Sequence, residues 1–176
     1  MYNIHLLPAS YGDAVLIEYG HGKSNYILID GGPADNFEKM VAGLQSVAPG
    51  LKELELLVAT HVDIDHIDGI VKFLNREKLP FRIKDIWFNG YNQVAQYSSD
   101  ELAPLQGEYL SKLIVEKNLP HNMKFGGEPV IVEDYNKLPV VRLKAGMKLT
   151  LLSPGIDTLK KMYTVWDEYL KNEGKG

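Results

Sequence analysis

The chain has no cysteine among its 176 residues, which removes disulfides, thiolate metal centres and cysteine nucleophiles together. Any bound metal must be held by nitrogen and oxygen. No apolar run approaches the ~18 residues of a membrane span. The start, Met1-Tyr2-Asn3-Ile4-His5-Leu6-Leu7-Pro8, also lacks the basic-then-apolar order of a secretion signal, so a cytoplasmic location is expected. Nor is there a basic cluster: 19 Lys and Arg stand against 23 Asp and Glu, a formal charge of −4. Non-specific nucleic-acid binding would need a local patch that no Lys/Arg run supplies. With 45% apolar and 24% charged residues, no repeat and no shift in composition, residues 1–176 read as one domain with a sizeable core.

The first thirty residues have strand character. Asn3 to Leu7, Ala14 to Tyr19 and Tyr26 to Ile29 are short apolar segments separated by Pro8–Asp13 and by His21–Asn25, which predicts a β-meander ending at Asp30-Gly31-Gly32-Pro33. Asp35 and Glu38 have the spacing of a helix cap, and Phe37, Met40, Val41, Leu44 and Val47 fall on one face of a helix that stops before Pro49. Leu54 to Ala59 is more continuously apolar, as a strand buried on both faces requires. A helix from about Ile67 to Glu77 and a strand over Phe81–Phe88 come next, and this strand, helix, strand order argues for crossovers on a shared sheet. Ser98 and Glu101 suggest a capped helix running to about Asn118, with Leu102, Leu105, Tyr109, Leu110 and Leu113 as its buried side. Residues 119–138 read as loops, with at most a short strand at Val130–Val132. Residues 140–143 and 147–152 read as a hairpin, and Asp157 as the cap of a last helix carrying Leu159, Met162, Val165, Trp166 and Leu170.

The chemistry gathers at Thr60-His61-Val62-Asp63-Ile64-Asp65-His66-Ile67-Asp68-Gly69, a turn between an apolar strand and a helical pattern. In a turn, residues one or two apart can converge their side chains on a point, so His61, Asp63, Asp65 and His66 could surround one or two cations. Neutral imidazole and carboxylate suit Zn, Mn or Fe. The plainer reading is that Thr60 or Asp63 caps the helix and the others are turn residues. A calcium loop fits less well, because Asp63, Asp65 and Asp68 miss the EF-hand spacing and histidine is a poor calcium ligand.

His61-x-Asp63-x-Asp65-His66 with Gly69 resembles the His-x-His-x-Asp-His signature of the metallo-β-lactamase fold, in the variant with Asp for the second His. Gly12-Asp13-Ala14-Val15-Leu16-Ile17 and Ile27-Leu28-Ile29-Asp30-Gly31-Gly32 resemble matching segments in the hydrolase domains of bacterial DNA-uptake channels and related phosphodiesterase-like proteins. The likeness spans about residues 3–75. It implies an α/β (α+β) chain of the αββα sandwich type. A chain ending at Gly176 is then expected to hold the N-terminal half of that sandwich and the elements after it, C-terminally incomplete.

The same resemblance makes His61 and Asp63 ligands of a first metal, and Asp65 and His66 ligands of a second, with Zn or Mn as the ions. Asp65 also takes the catalytic part of orienting the nucleophilic water. Asp30 steadies the motif loop; Asp13 does the same or is only a turn residue. The implied activity is a metal-dependent hydrolase that uses metal-bound hydroxide on an ester or phosphodiester, nuclease or phosphodiesterase-like rather than a true β-lactamase. Its substrate would be a small-molecule or nucleic-acid phosphoester. The fold normally adds a bridging Asp and a late His, and neither pattern occurs after residue 76; His121, in Leu119-Pro120-His121-Asn122, lacks the strand context, and His5 and His21 read as structural or exposed. The alternative is a non-catalytic binding or assembly module that keeps an incomplete metal site. Half a sandwich leaves a sheet face to cover, by a homodimer or by a missing C-terminal half.

Overall fold

The computed structural model describes residues 1–90 and 105–173. The opening meander is present as β1 (Tyr2–Leu6), β2 (Val15–Tyr19) and β3 (Asn25–Ile29), paired antiparallel. After α1 (Phe37–Val47) the predicted strand at Leu54 divides. β4 (Glu53–Leu54) pairs with β6 (Arg82–Ile83) in a ladder of its own, whereas β5 (Leu56–Val58) joins β3 in parallel. Beyond α2 (Ile64–Leu74), β7 (Ile86–Trp87) adds in parallel to β5, so the main sheet runs β1-β2-β3-β5-β7. Antiparallel on one side and parallel on the other, it is the mixed sheet of an α/β protein.

Two apolar faces arise from the strand period of two. Leu16, Leu28, Leu57 and Ile86 point to α1 and α2, where Met40, Leu44, Ile67, Ile70 and Leu74 close the larger core. Fully burying each such side chain stabilises the fold by about 1.5–3 kcal/mol. Their neighbours Ile27, Leu56 and Trp87 point the other way, to Val130 and Leu143. There the hairpin of β8 (Val140–Arg142) and β9 (Lys148–Thr150) adds Val141 and Leu149.

Helix α3 (Leu105–Glu116) packs on α2 through Leu110, Leu113 and Ile114. Tyr109, expected on its buried side, is exposed. The expected cap at Ser98 and Glu101, and Leu102, lie outside the described residues. The last helix, α4 (Ile156–Glu173), already includes Asp157 in its first turn, and it lays Leu159 and Tyr163 against Ile131 and Val62. Two expectations about local geometry are corrected. Asp35 caps nothing, because Ala34–Asn36 forms a single 3-10 turn ahead of α1. The run Phe81–Phe88 breaks at Lys84-Asp85 into two short strands. Val132 makes an isolated bridge to Gly155, in keeping with a loop region holding at most a short strand. Among the described residues no helix is long and apolar enough to cross a membrane.

Candidate metal centre

Three parallel strands, β3, β5 and β7, end on the same side of the sheet, and the segment leaving each of them contributes to the site: Asp30 after β3, Thr60 to Asp63 after β5, Phe88 and Asn89 after β7. Sites in open α/β sheets form at the carboxyl ends of strands because the chain must there leave the sheet and turn. Backbone bonds fix the three ends relative to one another, Asp30 N–H to Val58 O at 2.9 Å and Ala59 N–H to Trp87 O at 3.0 Å.

Asp30 is 3% exposed and sits at φ 56°, in the left-handed region that Asp tolerates better than most side chains. From there its carboxylate faces the motif turn. One oxygen accepts the Thr60 backbone N–H at 2.9 Å; the other accepts the Thr60 hydroxyl at 2.6 Å and lies 3.1 Å from His66 Nδ1. Thr60 Oγ1, its own proton spent on Asp30, is 2.7 Å from His61 Nδ1 and can only accept there. Both Nδ1 atoms therefore carry the proton as donors, and both Nε2 atoms are left with a free lone pair. One buried carboxylate sets two imidazole tautomers, the first directly and the second through a hydroxyl.

Each free Nε2 has a carboxylate beside it. His61 Nε2 is 3.6 Å from Asp63 and His66 Nε2 is 3.5 Å from Asp65, while the two rings lie 3.9 Å apart between centroids. Asp63 is 72% exposed and stands at the N-cap of α2, where its backbone oxygen accepts from His66 and Ile67 N–H. This starts α2 at Ile64, a turn earlier than the apolar spacing alone predicts. Asp13, equally exposed, comes within 3.9 Å of His66 Nδ1. Asp30, His61 and His66 bring ligand-type atoms within 4.8 Å of one another and form the candidate metal site. The fit to a cation is chemical: two neutral imidazole nitrogens and adjacent carboxylate oxygens are the donor set of Zn or Mn.

His121 stands apart. Its Nε2 donates to Phe88 O at 2.7 Å, and its backbone bridges Ile86. His5 pairs with Glu18 on the meander, and His21 is exposed. The sequence pattern assigns Thr60 no part beyond capping; the long reach from Thr60 to Asp30 leaves no local signal to find. A cleft of about 420 Å³ opens beside His61, walled by Val58, Trp87, Phe88, Leu151, Leu159 and Met162. It too has no signal in the sequence, because its walls come from four separated segments.

The family model of the metallo-beta-lactamase superfamily matches residues 7–134 of the chain. A crystal structure from Thermotoga maritima, provisionally assigned as a metallo-beta-lactamase, is 17% identical over 68% of this chain and 54% of its own, with a TM-score of 0.35. The chain thus spans about half the length of that relative. No curated protein matches the sequence. The family match takes in Asp13, Asp30 and the whole turn from Thr60 to Gly69, and the chain belongs to the metallo-beta-lactamase superfamily.

Proposed function

We propose that the chain is a metal-dependent hydrolase of esters or phosphodiesters, of the phosphodiesterase-like kind that the His61-x-Asp63-x-Asp65-His66 motif and its flanking segments resemble. The observation that carries this reading is the shared clamp of Asp30. It holds His61 and His66 with both Nε2 lone pairs free, and each of them stands beside its own carboxylate. On this reading His61 with Asp63, and Asp65 with His66, hold one or two Zn or Mn ions. When bound, such ions supply an acidified water and neutralise charge that develops on the substrate oxygen.

The chain's own residues do the rest. Asp30 orients the His66 ring by accepting its Nδ1 proton, and Thr60 does the same for His61. Asp65, 30% exposed at the first turn of α2, reaches solvent and can accept a proton from an attacking water. The N-terminus of α2, which begins beside the histidines at Ile64, favours negative charge near it.

A second reading, a binding or assembly module with an incomplete site, has one observation in its favour. Among the described residues the one further group within ion-pair distance of the motif histidines is the exposed Asp13, and His121 bonds elsewhere. Calorimetric titration with Mn²⁺ and Zn²⁺, joined to hydrolysis of bis(p-nitrophenyl) phosphate, separates the two. The hydrolase reading expects cation uptake and turnover, both lost in His61→Ala and His66→Ala. Uptake without turnover favours the module, and no uptake removes both.

A further inference from the structure

The cleft beside His61 adjoins the candidate metal centre, since His61 belongs to both and Thr60 in the cleft wall bonds Asp30. Its size, about 420 Å³, is that of a small-molecule pocket. Among its described lining residues His61 alone can carry a charge, and the wall is hydrocarbon and aromatic: Val58, Trp87, Phe88, Leu151, Leu159 and Met162. Asn89, the amide at its edge, has both ends engaged by Val130, donating to its carbonyl at 2.9 Å and accepting from its N–H at 2.8 Å. Thr60, Ser153 and Thr158 add hydroxyls to the lining, but apolar groups make up most of it.

Charge around the turn points the same way. Beside Asp63, which the hydrolase reading assigns to the cation, the exposed carboxylate there is Asp13, 72% exposed. A polynucleotide needs a basic track for the phosphates on either side of the one being cut, together with stacking platforms along the strand. Trp87 and Phe88 offer a face to one ring at a single point rather than platforms along a strand, and neither the cleft nor the turn carries a Lys or Arg for a basic track. A compact apolar group fits both facts, because it gains by leaving water and brings no further charge.

Resting on the hydrolase reading, we infer that the substrate is an ester or phosphodiester bearing a compact, uncharged aryl or branched alkyl substituent, seated between Trp87 and the Leu159–Met162 turn of α4, rather than a nucleic-acid strand. A cation held by His61 and His66 would draw the ester oxygens to the turn, and the cleft would select what is attached to them.

The test uses binding rather than turnover. The chain has two tryptophans, so in a Trp166→Phe background the emission reports Trp87 alone. The Mn²⁺-loaded protein is titrated with diphenyl phosphate and with dimethyl phosphate, which carry the same charge and differ in apolar surface, and with a twelve-residue oligothymidylate. Diphenyl phosphate is expected to bind at least fivefold more tightly than dimethyl phosphate and more tightly than the oligonucleotide. Met162→Gln and Leu151→Gln, both partly buried positions whose folding is checked by circular dichroism, are each expected to weaken diphenyl phosphate at least threefold. A smaller ratio between the two diesters, tighter binding of the oligonucleotide, or two folded cleft variants that bind as the parent does overturns the inference. Calorimetry with Mn²⁺ alone on the same samples keeps the readings apart. Aryl binding without cation uptake sinks the hydrolase reading and leaves the cleft's preference standing, and uptake without aryl preference does the reverse.

Discussion

At the scale of single residues, Asp30 decides more than any ligand-type residue on the turn. It is buried, and it satisfies three donors, two from Thr60 and one from His66. Asp30→Asn keeps the shape but replaces one acceptor oxygen with a donor, so at least one imidazole loses the bond that fixes its tautomer. The expected outcome is a fall in Mn²⁺ or Zn²⁺ affinity of about 10–100-fold, the usual cost of removing a group that orients a metal-binding histidine. Titration calorimetry reads the affinity, and imidazole nitrogen shifts in NMR read the tautomers. Thr60→Val is expected to release His61 and leave His66 clamped, which moves one ring's signals and not the other's. The sequence shows the Asp30-Gly31-Gly32 turn and the His61–His66 cluster plainly, because Gly, Asp and His at close spacing are local signals. That one carboxylate governs both imidazoles across more than 30 residues depends on β3 and β5 being neighbours, and no short pattern encodes that.

Elements hold these residues in place through close approaches of backbone. Gly69, on α2, packs face to face with the Gly31-Gly32 turn, and its N–H reaches Gly32 O at 2.8 Å while Gly31 N–H reaches His66 O at 2.9 Å. A Cβ at position 69 would run into the carbonyl of Gly31. Gly69→Ala therefore must push α2 away from β3, at a cost of about 1–3 kcal/mol or more in a urea melt. Because α2 carries His66, cation affinity is expected to drop with it. The meander has its own clasp. Glu18 accepts the Ser24 hydroxyl at 2.6 Å and the Asn3 amide at 3.0 Å, and the Ser24 bond first, then the Asn3 bond, hold its carboxyl below the ordinary value of 4.5. A depressed carboxyl gives stability that is complete above the unfolded value and is lost as pH falls through the folded one. Ser24→Ala is expected to lower stability by about 1 kcal/mol at pH 7, with the gap to the parent closing as pH falls below 4. Urea melts across that range check the sign. The helix α1 was legible because its buried residues Phe37, Met40, Val41 and Leu44 keep helical spacing, although Val47, expected on the same face, is exposed at the helix end. The division of Leu54–Ala59 and of Phe81–Phe88 was not. Each contains a residue, Glu55 or Asp85, whose carboxylate is buried by partners far along the chain.

For the whole molecule, the question is what ties the parallel edge of the sheet to the segments that cover its second face. Asp85, 5% exposed, does so from between β6 and β7. It accepts the Met123 N–H at 2.9 Å, the Lys124 N–H at 3.2 Å and the Trp87 indole N–H at 3.0 Å. The turn Met123–Phe125 is thereby fixed under β7, and Phe125 meets Trp87 edge-on at 5.1 Å, which seats the aromatic wall of the cleft. Nearby Asn122, fully buried in a left-handed conformation, clasps both backbone groups of Phe88. Asp85→Ala would strand the buried Trp87 indole N–H and two partly buried amides, of Met123 and Lys124, and the expected cost is about 1–3 kcal/mol, since an unpaired buried group costs about that much and the two amides lie in an exposed turn that can reach water. The measurement is paired: a urea melt for stability, and Trp87 emission for the cleft. Because Asp85 touches no residue of the candidate metal centre, Asp85→Ala is expected to shift the emission of Trp87 and blunt any preference for an aryl diester, with Mn²⁺ affinity changed less than threefold. An equal loss of cation affinity would mean that the second face and the metal turn form one cooperative unit, coupled through the β5–β7 pairing that both share.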